Sequence, residues 1–186
     1  MLSFRKHIAW AIKPLFTALI ILTSILLGSC GYTALYDQRA GTSFSVQRQM
    51  ELIKIQPIKD RIGQYLHNKL LVKLNPKGKP ADPRYTLNVK LEEQSSNIGV
   101  KKSAVVTRGN LKISATFTLS KIVKMKPGID TKKLLTATVI SISSYDIPQA
   151  QYAALASLKD AQARALREIT ENIKTRLGVY FHQNNK

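Results

Sequence analysis

Tyr85-Thr86-Leu87-Asn88-Val89-Lys90-Leu91 alternates apolar and polar residues without a break, and Asn110-Leu111-Lys112-Ile113-Ser114-Ala115-Thr116-Phe117-Thr118-Leu119 repeats the pattern at greater length. Successive side chains of a strand point to opposite faces, so this alternation predicts two strands with one buried and one solvated face. Between them, Ser95 to about Ala104 reads as a polar turn region, and Lys126-Pro127-Gly128 marks a second turn. A further strand is expected over Leu134–Tyr145, with looser alternation: Ala137 and Val139 against Ile140 and Ile142. That change of phase suggests a bulge or burial on both faces.

Upstream, Phe44 to Ile58 reads as a first strand, clearest in Met50–Gln56 and stopped by Pro57, which cannot donate to a sheet ladder. Asp60 is then a candidate N-cap for a helix. Ile62, Leu66, Leu70 and Leu74 recur every four residues along it, and Asn75-Pro76-Lys77-Gly78-Lys79-Pro80 ends it. From about Ala150 to Phe181 the period is helical again. Leu158, Ala161, Ala165, Ile169, Ile173 and Leu177 form one stripe, with Lys159, Arg164, Arg167, Glu171 and Lys174 largely off it.

The order is strand, helix, three strands, helix. A helix between the first two strands favours a parallel crossover, and the later strands can form a meander. The expected fold is α+β: a two-layer sandwich in which an about four-stranded mixed sheet carries two helices on one face. The other face, with Thr86, Asn88, Lys90, Lys112, Ser114, Thr116 and Ser141, is expected to stay wet.

The N-terminus carries a different signal. Arg5, Lys6 and Lys13 precede an uncharged apolar run from Leu15 to Leu27, which ends in Leu27-Gly28-Ser29-Cys30. The run is short for a membrane span, which needs about 20 apolar residues, and it matches a secretory h-region followed by small residues where a peptidase cuts. An ordinary cleaved signal with an incidental cysteine and an uncleaved anchor are the competing readings. Cys30 is the only cysteine in the chain, so no intramolecular disulfide explains it. A lipoprotein signal explains it: the thiol takes a diacylglycerol, and the new N-terminus takes an acyl chain such as palmitate. Gly31, in place of an aspartate, favours delivery to the outer membrane by analogy with enteric bacteria. The expected organisation is a cleaved signal peptide over residues 1–29, a lipidated tether over 30–42 and a single sandwich domain over 43–186. The lipid apart, no cofactor is expected.

Removing the signal leaves 157 residues, enough for one domain with a real core. It also leaves 26 basic against 11 acidic residues, a net charge of +15. Such an excess attracts polyanions. Outside the cytoplasm these are lipopolysaccharide phosphates, teichoic acids and anionic headgroups, so nucleic acid is not an expected partner. A uniformly basic proteome is the plainer explanation of the same charge.

Little in the chain points to catalysis. His67 and His182 are the only histidines after the signal, and neither has a second histidine or carboxylate at metal-binding helical spacing. No G-x-S-x-G elbow or phosphate loop is present. Glu92 and Glu93 are adjacent on a strand and so point to opposite faces. The chain is therefore read as a non-enzyme. What remains is a concentration of basic residues at the strand ends: Lys101 and Lys102 in one turn, Arg108 and Lys112 at the start of the next strand, and Lys121, Lys124, Lys126, Lys132 and Lys133 around the following turn. Exposed lysine is ordinary. Arg108 and Lys112 are set apart by their place beside the open face, where arginine can hold a phosphate bidentately and lysine as a point charge.

Taken together, the chain resembles the LPS-assembly lipoprotein LptE family in its alphaproteobacterial form. The resemblance rests on Cys30-Gly31-Tyr32-Thr33-Ala34-Leu35-Tyr36, on Ile55–Leu66 leading into the first helix, on Thr107-Arg108-Gly109-Asn110-Leu111, and on the tail from Ala154 to Leu177 with Asp160-Ala161 and Arg164-Ala165-Leu166. It implies a non-enzymatic, periplasm-facing lipoprotein of the cell outer membrane. Such a protein plugs and stabilises the β-barrel of the lipopolysaccharide translocon and binds lipopolysaccharide on its way to the outer leaflet. Arg108 and Lys112, then Lys101 and Lys102, are the candidates for that contact. The alternative is a basic envelope lipoprotein that binds a cell-wall or surface polyanion without a barrel partner. A lipid-anchored hydrolase is a distant third.

Overall fold

The structure is a computed structural model that describes residues 41–100, 106–125 and 128–184; Cys30, Lys101, Lys102 and Lys126 lie outside them. The elements in chain order are α1 (Gly41–Glu51), β1 (Ile53–Ile55), α2 (Asp60–Leu74), β2 (Tyr85–Val100), β3 (Val106–Met125), β4 (Gly128–Asp146) and α3 (Gln151–Gln183). They form a four-stranded sheet in the order β1-β2-β3-β4, parallel between β1 and β2 and antiparallel thereafter. All three helices lie over one face. This is the expected α+β sandwich, with one helix more than the sequence announces.

The extra helix corrects the reading of residues 44–51 as strand. Gln47, Arg48, Gln49, Met50 and Glu51 are good helix formers, and Val46 and Met50, four apart, are both buried. Only Ile53–Ile55 remains extended, with both isoleucines in the core and Lys54 exposed. Asp60 is likewise not the N-cap: Lys59 holds that position without a side-chain cap bond, and Asp60 sits in the first turn at φ 67. Aspartate tolerates that left-handed conformation, and its charge at the helix start still complements the dipole.

On the covered face, Leu111, Ile113, Ala115, Phe117 and Leu119 of β3 are buried, as the alternation requires. Leu66, Leu70 and Leu74 of α2 close one half of the core, and Ile62 packs at its margin. Ala161, Ala165, Ile169, Ile173 and Leu177 of α3 close the other half, where the two alanines let helix and sheet approach. At 33 residues, α3 is about 50 Å long, enough to follow the long strands. Polar side chains stitch the layers together. Asn75, just after α2, donates to the Glu51 and Ile53 carbonyls at 3.0 and 3.2 Å. Pro76 bars further helix, and Gly78, at φ 101, turns the chain back with its N–H on the Asn75 carbonyl.

The sheet departs from the sequence reading in three further ways. β2 does not end near Ser95: Ser95, Ser96 and Asn97 stay paired with Leu111, Asn110 and Gly109, and the register becomes irregular only around Gly99. β4 starts earlier than Leu134, and its bulge lies at Leu134, where Leu119 pairs with Leu135 but Ser120 pairs with Lys133. From Leu135 to Tyr145 the phase never changes. Val139 is buried while Ile140 and Ile142 are 52% and 60% exposed, so neither burial on both faces nor a mid-strand bulge explains the isoleucines.

Candidate functional site

The open face of the sheet follows directly from this register. Residues directly opposite one another in antiparallel strands share a face, so the rows crossing β2, β3 and β4 are Gln94–Lys112–Ile142, Glu92–Ser114–Ile140, Lys90–Thr116–Thr138 and Asn88–Thr118–Thr136. A row of Ser96, Asn110 and Ser144 closes the end where Arg108 lies. Hydroxyls tie neighbouring strands together: Thr116 to Thr138 at 3.0 Å, Thr118 to Thr136 at 3.2 Å, and Ser144 donating to Asn110 at 2.7 Å. Lys90 and Glu92, two apart on β2, pair at 2.9 Å. The surface is hydroxyl-rich, with the Lys90–Glu92 pair on its β2 side.

Arg108 and Lys112 occupy this face, four residues and about 13 Å apart along β3. Both are exposed. Arg108 lies 3.9 Å from Asp146 on β4, a solvated contact that adds little to stability and leaves the guanidinium fork available. Lys112 stands directly between Gln94 and Ile142. The sequence reading thus brings its two best candidates together on one face. What it missed is their apolar company: Ile140 and Ile142 sit beside Lys112 and Ser114, so cation and hydrocarbon share one patch. The clue was the pair of isoleucines at the wrong parity.

Two residues expected on the wet face are not free to work there. Ser141 is 2% exposed and lies on the covered face, where it donates to Glu168 of α3 at 2.6 Å. Its parity follows Val139, and the helix supplies the acceptor that a buried hydroxyl needs. Thr86, opposite Ser120, is buried with it. The other basic cluster lies at the far end of the β3–β4 hairpin, where Lys121 and Lys132 stand directly opposite each other and Lys133 follows. Like charges so placed repel, and an anion would relieve them.

On the covered side, Glu93 accepts from Gln162 at 3.0 Å, and Gln162 accepts from Arg61 at 3.0 Å, so one buried amide joins α2, α3 and β2. Glu92 and Glu93 do point to opposite faces. His67 is not a bare surface residue: its Nδ1 donates to the Gln56 carbonyl at 3.2 Å, which fixes that ring against the end of β1. Among the described residues no three histidine, cysteine, aspartate or glutamate side chains come together so as to hold a metal ion, and no helix is long and apolar enough to cross a membrane.

No protein-family model matches the chain, and no curated protein matches it in sequence. Solved structures do. A protein of Caulobacter crescentus CB15 carrying the provisional label lipoprotein is 21% identical, with 73% of this chain and 95% of that one superposed at a TM-score of 0.59. A minor lipoprotein of Acinetobacter baumannii is 16% identical over 68% and 91% of the two chains, at a TM-score of 0.49. The rare lipoprotein B of Shewanella oneidensis is 11% identical over 72% and 95%, at 0.42. The first of these establishes that the chain shares its fold with the Caulobacter protein.

Proposed function

We propose that this chain is a non-enzymatic lipoprotein of the outer membrane, held by acyl chains on Cys30, that plugs the β-barrel of the lipopolysaccharide translocon and contacts lipopolysaccharide there. The observation that carries the reading is a sheet sealed by helices on one face and left open on the other as a hydroxyl-lined surface. A plug must fit a wet lumen, since the interior wall of a wide membrane barrel is polar. Rows of threonine, serine and asparagine suit such a wall because each hydroxyl both donates and accepts.

The patch at Lys112 suits the cargo. Lipopolysaccharide presents phosphates beside acyl chains, and Arg108 and Lys112 offer cations while Ile140 and Ile142 offer apolar contact on the same surface. Cations alone would not discriminate, because a chain with net charge +15 binds many polyanions. A cation next to exposed hydrocarbon favours an amphiphile over a plain polyanion. Lys101 and Lys102 remain candidates for the same contact.

The test is to purify C-terminally tagged full-length protein from mild detergent and identify what accompanies it at high salt, where long-range charge attraction is screened. A stoichiometric large β-barrel supports the reading. Recovery of the lipoprotein alone, from membranes that contain the barrel, overturns it in favour of an envelope polyanion binder.

A further inference from the structure

The outer edge of the sheet is unlike the rest of the surface. Among the described residues β4 is the last strand in the order, and no further strand pairs with its outer row of backbone donors and acceptors. Natural edge strands are kept short or guarded by lysine, proline or a bulge. β4 is guarded at both ends, by Lys132, Lys133 and the bulge at Leu134 on one side and by Arg164 of α3, which donates to the Ser144 carbonyl at 2.9 Å, on the other; between them, Leu135 to Ser143 carries no charge, proline or glycine. Apolar side chains stand among the hydroxyls on both sides of this stretch. Ile140 and Ile142 lie exposed on the open face. Beneath, a hollow of about 240 Å³ between β4 and α3 is lined by Leu135, Ala137, Val179 and Tyr180, with Arg176 and Gln183 at its polar side.

We infer that this edge pairs with the same edge of a second copy, antiparallel and centred on Val139, to give a continuous eight-stranded sheet. The strand is self-complementary in that register. Thr138 of one copy faces Ile140 of the other, and Thr136 faces Ile142, so the two Ile140 side chains become diagonal neighbours and the four isoleucines form one cluster across the twofold. At the ends, Asp146 of one copy arrives beside Lys132 and Lys133 of the other. These exposed ion pairs are individually weak. Their effect is to select the register, because a slip along the strand separates them. A barrel lumen that holds one copy as a plug has no room for a second at this edge, so the dimer belongs to the lipoprotein outside the barrel, and insertion into a barrel would separate it. The dimer goes beyond the plug reading and does not depend on it.

The full-length lipoprotein in detergent provides the test, by sedimentation across a range of protein and salt concentrations. A dimer is expected, and because two copies of net charge +15 repel, its association should strengthen as salt rises. Ile140→Lys with Ile142→Lys should weaken it by roughly tenfold or more, since four lysines then meet on one face. Thr116→Lys, on the same face but in the central strand β3, should dimerise like wild type and serves as the folding and charge control. Spin labels on Ser144→Cys should lie about 30–35 Å apart in the dimer, the span of ten strand residues. A monomer at every concentration and salt, a dimer with another label distance, or β4 amides protected from exchange only when a barrel is bound would each overturn the inference.

Discussion

The two faces of the sheet are built from alternate residues of the same strands, yet they obey different rules. Phe117 is fully buried and fixed by what packs on it; Thr116, its chain neighbour, is exposed and bonded to Thr138 across the strand. The covered face is a matter of volume, because interiors are close-packed and a lost methylene leaves a void. The open face is a matter of polarity and pattern. The same strand therefore supplies packing through one parity and a solvent-facing pattern through the other, and substitutions can separate the two.

The largest separation is expected at that pair. Phe117→Ala should lower unfolding free energy by about 3–5 kcal/mol in chemical denaturation, whereas Thr116→Ala should cost less than about 1 kcal/mol. Equal losses would break the comparison. Gly109→Ala probes close approach on the covered face: an added Cβ would lie 2.8 Å from the Tyr145 ring. Overpacking of that kind costs about 1–3 kcal/mol, and the same substitution made in a Tyr145→Ala background should cost much less. If Gly109→Ala costs as much in the Tyr145→Ala background as in the wild type, the clash is not the cause.

Ser141→Ala comes next, removing a buried bond to Glu168 at a cost of about 1 kcal/mol; Ser114→Ala, on the open face, should be close to neutral. A smaller effect belongs to alkaline pH. Tyr85 bonds Gln49 at 2.9 Å and packs edge-on against Phe181 with centroids 5.1 Å apart. Burial raises its pKa above the ordinary 10.0, opposed by the positive charge of Arg84 and aided by Tyr180. The folded state thus favours the neutral phenol. The resulting stabilisation is complete below pH 10 and is lost as pH rises through the raised pKa. Tyr85→Phe should remove that alkaline decline from the stability profile while leaving the rest of the curve in shape.

Much of this was legible in the sequence because one-sided burial writes itself as alternation. The strands through Leu87 and Phe117, the parallel crossover and the stripe from Ala161 to Leu177 could all be read. So could the shared face of Arg108 and Lys112, which is a matter of counting by two. The misses have physical causes. Among the side chains of α1 whose burial is described, Val46 and Met50 form the one buried i, i+4 pair, and the apolar run into Ile55 masked it. Ser95, Ser96 and Asn97 are poor strand formers that pairing with β3 holds extended, a case of tertiary context overriding propensity. Ser141 looked like a wet-face residue because its acceptor, Glu168, lies 27 positions away on another element. Ile140 and Ile142 looked like core because apolar residues usually are.

The claim that the open face is the working face is tested most directly by photocrosslinking in cells. A photoreactive amino acid would replace Lys112 or Thr138 on that face, and, for comparison, exposed Arg167 on the helix side. The account predicts a covalent adduct of one large β-barrel protein from Lys112 and Thr138. Adducts from Arg167 alone, with the open-face positions silent while the barrel is present, would contradict it.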